Sequence, residues 1–255
     1  MGQHLLEVNE VNMHFGGVRA VDGISFHVDS NEIFGIIGPN GSGKTTLFNV
    51  LTGIYVPTSG KYTFQGKDIT GQPLYNMTKT GLSRTFQNLR VFRAMTVRDN
   101  VLLGENIRIK TNFIDAMFHT PNWRKSEKAA KEKADVVLAQ VGLEGVQNEL
   151  VGSMPYGMQK RVELARAIVS DPQLLLLDEP TAGMNSVEAD ELMDLVKTIK
   201  EERGIAVILI EHNMKVMMRI SDRIMAMDAG KKIAEGLPVE IQNNERVIRA
   251  YLGEG

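Results

Sequence analysis

Residues 32–53 read EIFGIIGPNGSGKTTLFNVLTG. A continuous apolar run, EIFGIIG at 32–38, leads into a glycine-rich turn and then into TTLFNVLTG. A short unbroken apolar run bounded by glycine predicts a strand buried on both faces, and strand, loop and helix in that order are the unit of an α/β fold. Within the stretch, GPNGSGKTT at 38–46 matches the pattern G-x-x-x-x-G-K-[ST] from Gly38 to Thr45. Glycine lets the backbone wrap closely around an anion. The loop from Gly38 through Pro39, Asn40, Gly41, Ser42 and Gly43 to Lys44, Thr45 and Thr46 is therefore expected to cradle phosphates with successive N–H groups. Lys44 supplies a point charge to the β and γ phosphates, and the Thr45 hydroxyl is placed to hold Mg2+.

Such a cradle needs a carboxylate on a neighbouring strand. QLLLLDEP at 173–180 provides one, with four apolar residues followed by Asp178 and Glu179. Open α/β sheets place their chemistry at the C-terminal ends of strands. Asp178 is expected to hold Mg2+ through water, and Glu179 to polarise the attacking water as general base. The guanine-selecting pattern N-K-x-D is absent from the sequence, which favours ATP over GTP.

Outward from these motifs, the first thirty residues alternate apolar and polar (Val11, Met13, Phe15, then Ile24, Phe26, Val28), as strands of a half-buried antiparallel sheet do. YTFQGKDI at 62–69 reads as a hairpin closed around Gly66, and TFQNLRVF at 85–92 as another extended piece. WRKSEKAAKEKADVVLAQVGL at 123–143 is dominated by helix formers, with Val136, Val137, Leu138 and Val141 as its apolar positions. Strands return with LLLLD and AVILIE on either side of SVEADELMDLVKTIKEER, a helical stretch, and VIRAYLG reads as a short terminal helix. The expected fold is α/β: a P-loop NTPase core with a mostly parallel sheet, an N-terminal antiparallel β subdomain and an α-helical subdomain. Residues 1–92 and 171–255 are assigned to the core and its antiparallel subdomain, and 93–170 to the helical subdomain.

Composition narrows the function classes. Lys plus Arg number 29 against 31 Asp plus Glu, a net charge of -2 without the basic surplus of a nucleic-acid binder, so no nucleic-acid partner is expected. The chain has no cysteine, which excludes disulfides, thiolate metal sites and cysteine nucleophiles and fits a reducing cytoplasm. The longest apolar runs, LLLL at 174–177 and IAVILI at 205–210, fall far short of the roughly 20 residues that span a bilayer. Membrane attachment is expected to come through a partner protein.

One further stretch offers an anion site. SMPYGMQKRVELARA at 153–167 breaks at a proline and a glycine, after which Val162, Leu164, Ala165, Ile168 and Val169 recur at helical spacing, so a helix opens near Gly157. A helix start carries unpaired N–H groups and a partial positive charge.

In this order, along nearly the whole chain, these motifs resemble the ATP-binding subunit of ABC transporters. The resemblance implies that Phe15, in MHFGG, stacks on adenine. It further implies that Gln87 senses Mg2+ and the attacking water and couples to membrane domains, and that His212, directly after AVILIE, contacts the γ-phosphate. It assigns the 153–167 helix start to a second, antiparallel copy, where Tyr156 and Gly157 face the γ-phosphate bound by the first. The signature commonly read as LSGGQ is MPYGM at 154–158, with Pro155 in place of the serine, so the contact across the dimer rests more on backbone N–H groups and the helix dipole. Asn185, in TAGMN, stands where an aspartate is common in the family.

Beyond that shared core, the YG-containing signature, the insertion RIKTNFIDAMFHTPNWRKSEKAA and the ending VIRAYLGEG resemble the larger ATPase subunit of branched-chain amino-acid importers. This implies an ATP- and Mg2+-dependent motor, peripheral on the cytoplasmic face of the inner (plasma) membrane. Its implied partners are a second ATPase subunit, like or unlike itself, two integral membrane permeases and, indirectly, a periplasmic or extracellular substrate-binding protein. The alternatives are an ABC ATPase for another cargo (lipopolysaccharide export, amide or urea import) and a soluble ABC ATPase with no role in transport.

Overall fold

The computed structural model of the chain describes residues 4–85, 89–105 and 120–252. They divide into two compact units, one made of the residues up to Arg84 together with those from Gln173 onward, the other running from Thr85 to Pro172.

The first unit holds two sheets. In the antiparallel one, β1 (Leu6–Phe15), β2 (Val18–Val28), β4 (Ser59–Phe64) and β5 (Lys67–Asp68) lie in the order β2-β1-β4-β5. The alternation read from the sequence holds here, with Val11, Ile24 and Val28 fully buried. It lapses at the β1–β2 hairpin tip, where Phe15 and Val18 are exposed. The β4–β5 hairpin turns through Gln65 and Gly66, at φ 52 and 71, the left-handed pair that a two-residue type I′ turn demands.

The second sheet is six-stranded, in the order β10-β9-β3-β8-β7-β6. It comprises β3 (Ile33–Ile37), β6 (Leu82–Arg84), β7 (Leu174–Asp178), β8 (Ala206–Ile210), β9 (Arg223–Asp228) and β10 (Lys231–Gly236). From β9 to β6 the pairing is parallel, and only β10 runs antiparallel. Every residue of β3, β7 and β8 is buried, which is why these strands read as unbroken apolar runs. Of the extended piece expected at 85–92, residues 86–88 lie outside the described residues, and 85 and 89–92 form no strand. The strand in that region is β6, which ends at Arg84.

One hydrophobic core joins the two sheets through Phe26 and Phe34, whose rings stack with centroids 5.0 Å apart, and through Tyr62 and Phe64. The helices α1 (Lys44–Leu51) and α2 (Leu74–Thr80) follow β3 and β5. Tyr62 is fully buried, and its hydroxyl donates to the Val50 carbonyl at 2.8 Å and accepts from the Gly71 N–H at 3.2 Å.

In the second unit, α3 (Val97–Glu105), α4 (Pro121–Gln140) and α5 (Tyr156–Ile168) pack through short apolar faces. Ala134, Val137 and Leu138 supply the buried stripe of α4, continued by the buried Val141 that caps it, whereas Val136 is 60% exposed on the opposite side. Val162, Leu164, Ala165, Ile168 and Val169 are all buried, as their spacing predicted. Helices α3 and α5 touch backbone to backbone at Gly104, where a Cβ would collide with the Arg166 carbonyl.

Back in the first unit, α6 (Ser186–Arg203) is capped by Asn185, whose Oδ1 accepts the Val187 and Glu188 N–H groups while Glu188 accepts the Asn185 N–H. Helices α7 (Met214–Ile220), α8 (Pro238–Gln242) and α9 (Glu245–Leu252) complete it. No helix among the described residues is long and apolar enough to cross a membrane.

Two expected outcomes follow from this packing. Gly104→Ala should lower stability by about 1–3 kcal/mol, because the helix crossing cannot admit a methyl group, and thermal unfolding checks it. Burial pushes the Tyr62 hydroxyl from 10.0 up to about 12, so its contribution to stability is complete below pH 10 and is lost as pH rises through about 12. Denaturant unfolding of Tyr62→Phe beside the parent chain should show an alkaline loss, up to about 3 kcal/mol, that the variant lacks.

Candidate functional site

The loop between β3 and α1 is held from three directions. Gly38 and Gly43 lie so close to neighbouring backbone that a Cβ would collide with the Met227 carbonyl at one and the Ala20 carbonyl at the other. At Gly43 the φ of 101 adds a left-handed requirement. The Gly230 N–H donates to the Ser42 carbonyl at 3.0 Å, and the Gly38 N–H donates to the Tyr251 hydroxyl at 2.8 Å. Thus the β2 backbone, the β9–β10 turn and the C-terminal helix α9 shape the loop together.

Helix α1 starts directly behind it, without a side-chain cap or an acidic residue in its first turn. Its ladder begins with Leu47 N–H to the Gly43 carbonyl at 2.9 Å, so the N–H groups of Lys44, Thr45 and Thr46 lie ahead of that ladder, as in an anion-binding helix start. Lys44 is 5% exposed, and its ammonium donates to the carbonyls of Gly38 (2.7 Å) and Pro39 (2.9 Å) and to Ser42 Oγ (3.4 Å). Burial holds its pKa below the usual lysine value, against the opposing pull of Glu179 and Asp178.

Those carboxylates stand where β7 ends. Asp178 is almost wholly buried, and its Oδ2 accepts from Arg84 Nη2 at 2.9 Å. Burial raises its carboxyl above the ordinary range even though Arg84 pulls it down. Its other oxygen, Oδ1, is buried with no hydrogen-bond partner among the described residues. Glu179 takes a left-handed φ of 49, a strained conformation for this residue type, fixed by its N–H bonding to the Ile210 carbonyl at 2.9 Å. Its Oε1 lies 2.7 Å from His212 Nε2. One residue before that histidine, the buried Glu211 accepts both the Thr181 N–H (2.9 Å) and the Thr181 hydroxyl (2.7 Å), clamping the turn after β7 onto the end of β8.

The structure therefore brings together Lys44, Asp178, Glu179 and His212. Phe15 sits on the β1–β2 hairpin, 44% exposed, and packs edge-on against Tyr55 with centroids 5.3 Å apart. Gln87 lies outside the described residues. Tyr156 and Gly157 belong to the other unit, where α5 opens at Tyr156 behind Pro155, which offers no side-chain cap. Tyr156 is exposed, with the Lys160 ammonium 5.9 Å from its ring centre.

For a divalent cation the donor set is oxygen only: the exposed Thr45 hydroxyl and the orphaned Asp178 Oδ1. Hard oxygen donors beside a phosphate cradle suit Mg2+, and a buried carboxylate oxygen with nothing to accept from is a place where a cation restores what burial removed.

Three participants escaped the reading from sequence. Arg84 closes a strand of only three residues, too short for any periodicity to show. Glu211 stands beside His212 and looks like a solvated strand end. Tyr251 reaches the loop from the far end of the chain, and only its place in a predicted helix was visible.

A family model described as ABC transporter matches residues 21–182, and another, described as Branched-chain amino acid ATP-binding cassette transporter, matches residues 231–255. The chain is 43% identical over 254 residues to a high-affinity branched-chain amino acid transport ATP-binding protein of Pseudomonas aeruginosa, with 100% of each covered. A protein of the same description from Escherichia coli K12 is 42% identical over 254 residues, again with 100% of each covered. A lipopolysaccharide export system ATP-binding protein of Haemophilus influenzae is 33% identical over 236 residues, 92% of each chain. Among solved structures, the ADP conformation of an ATP-binding cassette of an ABC transporter matches with a TM-score of 0.86 at 32% identity, covering 99% of this chain and 100% of that one. A nucleotide-free cassette gives a TM-score of 0.85 at 31% identity, with the same coverage.

Tyr251→Phe removes only the acceptor for the Gly38 N–H. Leaving that donor unsatisfied should cost about 1–3 kcal/mol, read as a fall of several degrees in the thermal unfolding midpoint, whereas an unchanged midpoint would show that α9 does not support the loop.

Proposed function

The chain belongs to the family of ATP-binding subunits of ABC transporters, and from that premise we infer that it hydrolyses ATP to energise the import of branched-chain amino acids. The observation that carries this reading is the meeting of a buried Lys44 with Asp178 and Glu179 beside a glycine cradle, in a chain matched end to end by branched-chain amino acid transport ATP-binding proteins. The family match over the tail, residues 231–255, favours this cargo over lipopolysaccharide.

In this reading the triphosphate lies against the start of α1, with the backbone of Gly38, Pro39, Asn40, Gly41, Ser42 and Gly43 around it and Thr46 behind. Lys44 exchanges its bonds to the loop carbonyls for bonds to β and γ phosphate oxygens. Phe15 stacks on adenine. Thr45, Asp178 and Gln87 would hold Mg2+, which when bound neutralises charge on the phosphates. Glu179, oriented by His212, takes a proton from the attacking water as its oxygen bonds to the γ phosphorus and the bond to the departing ADP breaks. His212 also donates to a γ-phosphate oxygen; a neutral imidazole has one N–H and makes either that bond or the one to Glu179, and only the imidazolium makes both.

A second ATPase subunit, like or unlike this one, completes the site. The Tyr156–Gly157 turn of each faces the nucleotide held by the other, and with Pro155 in the serine's place that contact is made by backbone N–H groups. ATP binding favours the closed pair and hydrolysis releases it, which shifts two integral membrane permeases between facing states. A periplasmic or extracellular binding protein delivers the amino acid, while this chain sits peripherally on the cytoplasmic face and never touches the cargo.

Glu179→Gln should keep ATP affinity and lose turnover by at least about 100-fold. Undiminished hydrolysis would remove Glu179 from the role of base. Because the chain has no cysteine of its own, Asn40→Cys with Tyr156→Cys in the Glu179→Gln background gives a clean crosslinking pair. The crosslinked dimer should form with ATP and not without it, and its failure to form with ATP would rule out a site shared between two copies of this chain.

A further inference from the structure

Of the side chains assigned to the cation, Thr45 comes from α1 and Asp178 from β7, and their separation must be held for both to engage one ion. Arg84, the last residue of β6, spans that gap. Its Nη2 donates to Asp178 Oδ2 at 2.9 Å, and its Nη1 donates to Asn49 Oδ1 and to Thr52 Oγ1, each at 2.8 Å. The guanidinium also lies 5.6 Å from the Phe48 ring centre. Thr52 is free to accept because its hydroxyl proton goes to the Phe48 carbonyl at 2.7 Å.

Asn49 and Thr52 are not arbitrary anchors. Thr45 and Asn49 stand at i and i+4 on α1, and Thr52, seven residues after Thr45, caps the end of the helix with its N–H still bonded to the Phe48 carbonyl, so the three form one row with the cation's hydroxyl at its head. Arg84 thus grips the same face of the helix that carries Thr45, and with the other prong of a rigid planar fork it grips the carboxylate. The pair is 4% and 1% exposed, so neither partner has water as a substitute. With Oδ2 committed to Arg84, only Oδ1 of Asp178 is left for a further ligand.

We propose that Arg84 is a positioning residue of the nucleotide site, one that sets the spacing between Asp178 and the Thr45 face of α1 and so tunes the affinity for Mg2+ in the nucleotide complex. The proposal rests on the reading of this site as an ATP site. It goes beyond charge neutralisation, because a cation that merely balanced Asp178 would not need Asn49 and Thr52.

Two variants separate these ideas, with thermal unfolding as the check that each is folded. Arg84→Lys keeps the charge and loses the fork, whereas Asn49→Ala leaves the Asp178 pair intact and removes one anchor on α1. For each, binding of the β,γ-imido analogue of ATP is titrated calorimetrically at a series of Mg2+ concentrations and again in EDTA. Arg84→Lys should raise the Mg2+ concentration that half-tightens nucleotide binding by about tenfold, Asn49→Ala should raise it by about threefold, and affinity in EDTA should move less than about twofold in both. An unaltered Mg2+ dependence in both variants overturns the proposal, as does an equal loss of affinity with Mg2+ and in EDTA. If the parent chain itself bound the analogue no more tightly with Mg2+ than in EDTA, the underlying reading of the site would fall instead.

Discussion

A buried ammonium tolerates no vacancy around it. Lys44 is almost wholly out of water, and an unpaired cation in such a place would cost several kcal/mol. The carbonyls of Gly38 and Pro39 and the two carboxylates at the end of β7 meet that demand. To aim two successive carbonyls inward, the loop must turn tightly against Met227 and Ala20, and only glycine fits at those approaches. The carboxylates in turn must arrive at one height, which the parallel register of β3, β8 and β7 ensures. The same bonds that satisfy Lys44 in the free chain are the ones a phosphate would replace, so a single arrangement serves folding and binding.

Polar links between distant parts of the chain hold this site. Arg84 ties β6 to α1 and β7, Glu211 ties β8 to the turn after β7, and Tyr251 ties the C-terminal helix to the first glycine of the loop. Each joins groups that are buried or half-buried, where losing a partner costs more than the bond itself contributes. Strain sits among them: Glu179 holds a left-handed backbone because its N–H is fixed by Ile210 on the neighbouring strand. Such strain is sustained by over-determined surroundings, and in the proposed function Glu179 is the carboxylate aimed at the attacking water.

The departures from the common family pattern have local explanations in part. Asn185, in place of an aspartate, is the N-cap of α6 and completes a reciprocal capping box with Glu188. Pro155 fixes the extended backbone from which α5 begins, a position where proline's missing donor costs nothing, and leaves the helix start without a side-chain cap. An anion approaching that start would meet backbone N–H groups.

How much was legible in the sequence depended on the range of the physics involved. Fully buried strands announce themselves as apolar runs, the hairpin by its Gly66, and α6 as a helical stretch between two such strands, because each signal is written within a few consecutive residues. The glycine loop and the Asp178–Glu179 pair were legible for the same reason. By contrast, β6, β9 and β10 were not: β6 is too short for a pattern, and a β9–β10 pair packed against the sheet edge gains its identity from neighbours far along the chain. Val136 shows the limit in miniature, since composition made it a core candidate and only the rotation of α4 turned it outward. Sequence alone determined which chemical groups this protein owns and which local elements carry them, because backbone sterics and side-chain periodicity act over a handful of residues. Tertiary structure alone decided that Arg84, Glu211 and Tyr251 belong to the site, because a hydrogen bond between residues far apart in the chain leaves no mark on either local sequence.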